Sequence, residues 1–124
     1  MKYAVLLFAV AISFSFLGQK TPPKVIKTVS VAVVKEELKK HEFVILDVRT
    51  PEEYNAGHLK GAINLNYYDA DFQKKLAAMD KRKKVVVYCA VGGRSGQALT
   101  QMDALGFIYV LNMKGGYNAW KTQQ

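Results

Sequence analysis

The chain has 124 residues, half of them hydrophobic and 23% charged, an ordinary composition for one compact domain. A domain of this size can fold without the help of a metal, and its single cysteine, Cys89, excludes an internal disulfide. The formal net charge is +8, with the densest basic run at residues 81–84. We interpret that run as a solvated turn that guards the hydrophobic strand behind it.

Residues 1–18 differ in composition from the rest of the chain. Lys2 gives a short positive end, and residues 3–17 form an unbroken run of apolar and small residues. A membrane span needs about 20 such residues, so the run fits the hydrophobic region of a signal peptide better. We therefore predict a signal peptide at 1–18, a linker at 19–24, and export, with the bacterial periplasm as the expected location. The alternatives are an uncleaved leader that tethers the protein to the membrane, and a first helix packed in the core.

Export changes what the composition implies about partners and about Cys89. An unpaired cysteine in an oxidising compartment indicates an intermolecular disulfide or a reactive thiol, whereas a buried cysteine that acts as a small hydrophobe is the plain alternative. Nucleic acid is not an expected partner of an exported protein. An acidic protein surface or an anionic membrane face stays open as a partner, on the weak signal of the net charge.

From residue 25 onward, hydrophobic strands alternate with amphipathic helices. We predict strands at 25–29, 43–46, 62–65, 85–88 and 109–111, and helices at 31–40, 51–57, 70–79, 96–105 and 117–120. Ser30 is the predicted N-cap of the first helix, and Gly106 ends the fourth. This order predicts one α/β domain, residues 25–124, with a five-stranded, mainly parallel sheet and helices on both faces. Ligands of such sheets bind beyond the carboxyl ends of the strands, where Asp47 and Cys89 are expected.

The stretch YCAVGGRSGQ, residues 88–97, contains the candidate reactive residue Cys89. A strand delivers Cys89 to the sheet edge, and Gly92 and Gly93 permit positive φ angles and a tight curl before a helix begins. Backbone N–H groups turned inward, the helix N-terminus and the charge of Arg94 all favour thiolate over thiol, so we predict a lowered pKa for Cys89. Ser95 is expected to cap the helix. The same cradle would hold an anion bonded to sulfur.

The segment 89–95, CAVGGRS, resembles the C-x-x-G-x-R-S active-site loop of single-domain rhodaneses, which are sulfurtransferases. The resemblance extends upstream through 47–49 (DVR), 53–54 (EY) and 57–64 (GHLKGAIN). Downstream it continues in 115–120 (GGYNAW), similar to the G-G-x-x-x-W ending of these domains. These motifs follow the order of the family over about residues 25–121. They imply the rhodanese-like fold.

The resemblance implies that Cys89 takes a sulfur atom from a donor such as thiosulfate, a persulfide or a polysulfide and becomes a persulfide itself. Cys89 would then pass that sulfur to cyanide or to another thiol, which is covalent catalysis by an activated cysteine. The expected substrate-binding residues are Ala90, Val91, Gly92, Gly93 and Arg94. Asp47, Arg49, Glu53, His58 and Ser95 are expected to brace the loops, although contact of Asp47 and Arg49 with substrate is an alternative. The resemblance requires neither a metal nor an organic cofactor.

Two other functions compete with this interpretation. Phosphatase and arsenate reductase loops resemble C-x5-R, whereas four residues separate Cys89 from Arg94 here, and the narrower cradle suits one sulfur atom better than a phosphoryl group. A non-enzymatic rhodanese module is the second: the presence of Cys89 argues against a pure protein-binding domain, but a periplasmic persulfide carrier stays open. Ala90 and Val91 are uncharged where thiosulfate-using relatives often carry basic residues, so we expect thiosulfate to be a poor donor. A protein redox or sulfur-transfer partner is a further expectation.

Overall fold

The structure is a computed structural model that describes residue 9, residues 11–13, residue 18 and residues 21–124. The predicted signal peptide and the first part of the linker therefore lie mostly outside the described residues. No helix within the described part of the chain is long and apolar enough to cross a membrane.

Five strands alternate with five helices, in the order that the sequence predicts. The strands are β1 (Val25–Val29), β2 (Val44–Asp47), β3 (Ile63–Asn64), β4 (Val85–Tyr88) and β5 (Tyr109–Met113). The helices are α1 (Val31–Lys40), α2 (Pro51–Asn55), α3 (Phe72–Ala77), α4 (Gly93–Ala104) and α5 (Gly116–Thr122). The Ser30 side chain accepts from the Val33 N–H, which confirms Ser30 as the N-cap of α1.

The strands form one sheet in the order β1-β5-β4-β2-β3, and every neighbouring pair is parallel. The expected mainly parallel sheet is thus entirely parallel among the described residues. The central strand β4 is buried along its whole length, as its uninterrupted run of Val-Val-Val-Tyr predicts. Asp47 pairs in register with Tyr88, so the carboxyl ends of β2 and β4 bring Asp47 and Cys89 to the same edge.

Side chains that alternate along β4 divide the core in two. Val85, Val87 and Cys89 face a cluster that includes residues of α3 and α4, whereas Val86 and Tyr88 face a second cluster that includes residues of α1 and α5. Because successive strand residues point to opposite faces, the two clusters lie on opposite sides of the sheet. This arrangement confirms the expected helices on both faces.

The start of α4 differs from the prediction. The helix begins at Gly93 rather than at residue 96, and its N-cap is Gly92, whose φ of 119° lies in the left-handed region. Gly93 is helical, so only one glycine of the pair uses a positive φ. The prediction that Ser95 caps the helix is wrong, because Ser95 lies within the first turn and its side chain is buried.

Smaller differences concern the bounds of six further elements: β2, α2, β3, α3, β5 and α5. Helix α3 starts at Phe72 because residues 69–71 form a turn in which the Phe72 N–H donates to Asp69 O. Strand β3 pairs with β2 at two positions only, and β5 continues to Met113 because β1 pairs with it along its full length. Tertiary pairing sets these boundaries, which the hydrophobic pattern alone leaves open.

A buried ion pair lies at the carboxyl end of β2. Asp47 is fully buried and Arg49 is 4% exposed, and the Arg49 guanidinium donates to both carboxylate oxygens, with an Nη2–Oδ2 distance of 2.7 Å. The Tyr88 hydroxyl also donates to Asp47 Oδ2, at 2.7 Å, and accepts from the Leu59 N–H. Arg49 donates further to Gly57 O at 2.6 Å. The network thus joins β2, β4 and the loop after α2, on the face of the sheet opposite to the Cys89 side chain.

We predict that Asp47→Ala lowers the free energy of unfolding by about 3–5 kcal/mol, because it leaves the Arg49 charge buried without a partner. Asp103→Ala is the matched control: Asp103 pairs with Lys24 in a half-exposed ion pair and should change stability by less than about 1 kcal/mol. Urea denaturation of both variants measures the difference. Equal losses would contradict the role assigned to the buried pair.

Candidate active site

The Cys89 sulfur lies at the floor of the loop that joins β4 to α4. Cys89 is 1% exposed, and the Gly92 N–H donates to Cys89 Sγ with an N–S distance of 3.0 Å. The left-handed φ of Gly92 folds the loop back so that this N–H reaches a residue three positions earlier. A polar donor aimed at a nearly buried sulfur is the arrangement that stabilises a negative charge there.

The pKa of Cys89 is lowered, as the sequence predicts. Burial alone would raise the pKa of the thiol, but the Ser95 hydroxyl and the N–H groups of Ser95, Gly92 and Val91 together lower it below its usual value. The lowering of the pKa comes chiefly from these hydrogen bonds, whereas the sequence also predicted contributions from the helix N-terminus and from the charge of Arg94. A larger fraction of Cys89 is therefore thiolate, the nucleophilic form, at neutral pH.

Ser95 has a role that the sequence analysis missed. Its hydroxyl lies 3.4 Å from Cys89 Sγ and 3.4 Å from Gly92 O, and it can donate its one proton to either acceptor. A thiolate is the stronger acceptor of the two. Ser95 lies in the first turn of α4, which places its hydroxyl next to the sulfur. This placement could be predicted only once the start of α4 was known.

The positive charge of Arg94 is paired with an acidic side chain. Its guanidinium makes a two-pronged ion pair with Glu53, with Nη1–Oε1 and Nη2–Oε2 distances of 2.7 and 3.0 Å, and it lies over the Tyr68 ring at 5.6 Å. The hydrogen bonds from Arg94, with further ones from Thr50, lower the pKa of Glu53 to about 2. Glu53 therefore compensates the charge of Arg94 at every pH above that value.

The loop packs against the N-terminus of α5, which the sequence analysis did not place in the site. The Tyr117 N–H donates to Cys89 O at 2.8 Å, and the Asn118 N–H donates to Ala90 O at 3.1 Å. This close approach needs Gly116: a Cβ there would stand 2.3 Å from Cys89 O, and its φ is 59°. The glycine pair at 115–116 is the signal that could have pointed to it.

The other predicted site residues surround this centre at different distances. Asp47 and Arg49 belong to the buried network, where they bind each other, the Tyr88 hydroxyl and Gly57 O. His58 is exposed, with Nδ1 2.8 Å from Tyr54 O and its ring stacked on Tyr54 at 3.8 Å. His58 is thus remote from the sulfur contacts, and no three His, Cys, Asp or Glu side chains of the described residues converge as a metal site.

Two apolar side chains stand exposed near the mouth of the site. Val91, within the loop, is 67% exposed, and Tyr68, beside Arg94, is also 67% exposed. Ala90 is half-buried, and Gly93 is exposed. The loop therefore presents small or apolar surface to an approaching molecule.

The motif, the fold and the cradle around Cys89 agree with comparisons to known proteins. A family model for the rhodanese-like domain matches residues 30–123. The chain belongs to the rhodanese-like family. Its sheet and helices also match a crystal structure of a rhodanese-related protein from Thermoplasma volcanium, with a TM-score of 0.70 at 28% identity over 78% of this chain and 92% of that one.

Characterised relatives of this rhodanese-like chain carry different names. The mitochondrial protein HIGH ARSENIC CONTENT 1 of Arabidopsis thaliana is 34% identical, over 85% of this chain and 69% of its own length. The thiosulfate sulfurtransferase PspE of Escherichia coli is 39% identical, over 56% of this chain and 67% of its own length. A thiosulfate sulfurtransferase GlpE of Pseudoalteromonas translucida is 32% identical, over 77% of this chain and 90% of its own length.

We predict that Ser95→Ala raises the pKa of Cys89, because the sulfur loses a hydroxyl donor while it stays buried. Alkylation by iodoacetamide requires the thiolate, so the pH profile of its rate should move to higher pH and the rate at neutral pH should fall. Thr100→Ala, which removes an exposed hydroxyl from the same helix, is the control and should leave the profile unchanged. Superimposable profiles for Ser95→Ala and the original protein would contradict the hydrogen bond.

We predict that Gly116→Ala displaces the loop after β4 and destabilises the protein by about 1–3 kcal/mol, as overpacking does. Gly96→Ala is the matched control on α4: a Cβ at Gly96 meets nothing within 4 Å, and a helical alanine stabilises by up to about 1 kcal/mol. Thermal unfolding and the rate of Cys89 alkylation measure both effects. Wild-type values for Gly116→Ala would show that α5 does not constrain the loop.

Proposed function

We propose that the protein is a sulfurtransferase that moves a sulfane sulfur through a persulfide on Cys89. The observation that carries the proposal is the cradle itself: the Gly92 N–H, 3.0 Å from Cys89 Sγ, and the buried Ser95 hydroxyl both point to the sulfur. These donors favour the thiolate that must attack the donor molecule. They also stand where negative charge develops again when the sulfur is handed on.

The reaction has two steps that balance without a cofactor. In the first, the Cys89 thiolate attacks the outer sulfur of the donor; a new S–S bond forms, and the donor's own bond to that sulfur breaks. The leaving group keeps the electron pair: sulfite leaves from thiosulfate, or a thiolate from a persulfide. In the second, an acceptor such as cyanide or a thiolate attacks the outer sulfur, and Cys89 leaves as the thiolate.

The names of the relatives support this class of reaction. PspE and GlpE are both named thiosulfate sulfurtransferases, and GlpE aligns over 90% of its own length. The spacing of four residues between Cys89 and Arg94 agrees with sulfur transfer rather than phosphoryl transfer, for the reason given above. We infer sulfur transfer as the activity of this chain.

The donor that fits the site best is an organic persulfide, which carries no sulfonate, rather than thiosulfate. Thiosulfate carries a sulfonate group whose charge needs a cationic partner when it leaves water. Ala90 and Val91 offer none, and Glu53 already neutralises Arg94 through two hydrogen bonds. We also propose, from the leader-like residues 1–18, that the protein works outside the cytoplasm, with a thiol or a protein thiol as the acceptor.

We predict that Cys89→Ser abolishes thiocyanate formation from cyanide with every sulfur donor. Ser95→Ala should lower the rate and keep some activity, because it weakens the cradle without removing the nucleophile. Steady-state assays with thiosulfate, glutathione persulfide and polysulfide measure both. Activity in Cys89→Ser would overturn the proposal. A Cys89 that accepts sulfur but does not release it to cyanide would indicate a persulfide carrier instead.

We predict that Val91→Lys raises kcat/KM for thiosulfate by about tenfold, because a cation on the exposed loop compensates the sulfonate charge by about 1.4 kcal/mol. Val33→Lys is the control: Val33 is 42% exposed on α1, away from the loop, and the change adds the same charge. The ratio of kcat/KM for thiosulfate to that for glutathione persulfide, which carries no sulfonate, measures the effect. An equal rise in both lysine variants would contradict a local origin.

A further inference from the structure

The sheet topology gathers positive charge at the edge opposite to Cys89. In an all-parallel sheet every strand starts at one edge, which we call the amino edge, and each connecting helix returns the chain to it. Eight cationic side chains lie just before a strand or at the end of a returning helix on this edge: Lys24, Lys39, Lys40, Lys60, Lys81, Arg82, Lys83 and Lys84. The run at residues 81–84 is therefore part of a larger charged surface.

Part of this positive charge has no acidic partner. Lys24, Lys39 and Arg82 form ion pairs with Asp103, Glu36 and Asp80 in turn. Within residues 21–124, no carboxylate lies at ion-pair distance from Lys40, Lys60, Lys83 or Lys84. A free excess of cations thus remains on the amino edge.

Three of these lysines line a groove. Its volume is about 740 Å³, and it runs between the end of α1 and the starts of β2, β3 and β4. Lys60, Lys83 and Lys84 supply ammonium groups, Leu38, Phe43 and Ile45 supply apolar surface, and Glu42 is the one acidic residue of the lining. A groove that combines several cations with apolar surface fits an anionic amphiphile better than a simple ion.

We propose that the amino edge, with this groove, binds the surface of a membrane that contains anionic phospholipids. Clustered lysines are attracted to the negative potential of such a surface. The combination of lysines with an apolar lining favours a membrane over an acidic protein. An uncleaved leader, the tethering alternative given above, adds to this preference, because residues 3–17 precede β1 and β1 starts at this same edge. Residues 18–24 between them reach at most about 25 Å when extended, so a run that enters a bilayer brings the amino edge close to the headgroups.

The proposal also sets the direction in which the active site faces. Cys89 follows Lys84 by five residues along β4, or about 17 Å of extended strand. A protein that lies with its amino edge on a membrane therefore holds Cys89 on the side away from it, open to dissolved donors and acceptors. Membrane binding at this edge does not depend on the sulfur-transfer proposal.

The test measures binding of the full chain to two kinds of vesicle: phosphatidylcholine alone, and phosphatidylcholine mixed with an equal amount of phosphatidylglycerol. We expect the mixed vesicles to bind the protein at least about tenfold more strongly, and high salt to abolish the difference. The triple variant Lys60→Gln, Lys83→Gln, Lys84→Gln should lose this preference. The matched control Lys27→Gln, Lys114→Gln, Lys121→Gln removes the same charge elsewhere and should keep most of it. Circular dichroism checks that both variants fold.

Three results would overturn the proposal. Equal binding to the two kinds of vesicle would show that the apolar run alone carries any membrane affinity. An equal loss in both triple variants would show that net charge acts, and not the amino edge. Preference for polyglutamate over the anionic vesicles would point to an acidic protein partner. Because Cys89 is the sole cysteine, the rate at which it reacts with a water-soluble thiol reagent reports how the protein is oriented on the vesicle. We expect this rate to stay the same when the protein binds vesicles. A strong decrease would contradict the orientation in which Cys89 faces away from the membrane.

Discussion

A negative charge on the nearly buried sulfur of Cys89 must be balanced from inside the protein, because little water reaches it. The loop after β4 supplies this balance with N–H groups and one hydroxyl. The left-handed Gly92 turns its N–H toward the sulfur, and the helix that begins at the next residue brings Ser95 beneath it. The pKa of the thiol is lowered even though burial acts in the other direction. The chemistry of the site follows from this geometry.

The geometry of the loop depends in turn on contacts from three sides. On the face of the sheet opposite to the Cys89 side chain, the buried Asp47–Arg49 pair and the Tyr88 hydroxyl tie the ends of β2 and β4 together. Behind the loop, α5 approaches so closely that only glycine fits at 116, and its first N–H groups bind loop carbonyls. On a third side, Glu53 forms an ion pair with Arg94 of the loop. Because Glu53 also neutralises Arg94, the contact that shapes the loop also compensates the charge of its arginine.

The sequence predicts the fold well because its strands are short apolar runs and its helices have clear starts. Val85 to Tyr88 predicts a buried central strand, and Ser30 marks the start of α1; both are confirmed. The lowered pKa of Cys89 was also predictable, since a cysteine between a strand and a glycine-led helix faces N–H groups. The contacts in the site that depend on segments distant in the chain were not predictable. Sequence patterns do not show that Ser95 lies one turn into α4, that Glu53 binds Arg94, or that α5 presses on Cys89 O. Each of these depends on how elements pack, and local spacing does not encode it.

The most direct test of the account is the intact mass of the protein, with peptide mapping, before and after a stoichiometric persulfide or thiosulfate, and again after cyanide. We expect a gain of one sulfur atom on Cys89, larger with the persulfide than with thiosulfate, and its complete loss to cyanide with formation of thiocyanate. The account would be contradicted if Cys89 took up no sulfur from thiosulfate, persulfides or polysulfide, because a cradle that lowers the thiol pKa would then serve some other purpose than sulfur transfer.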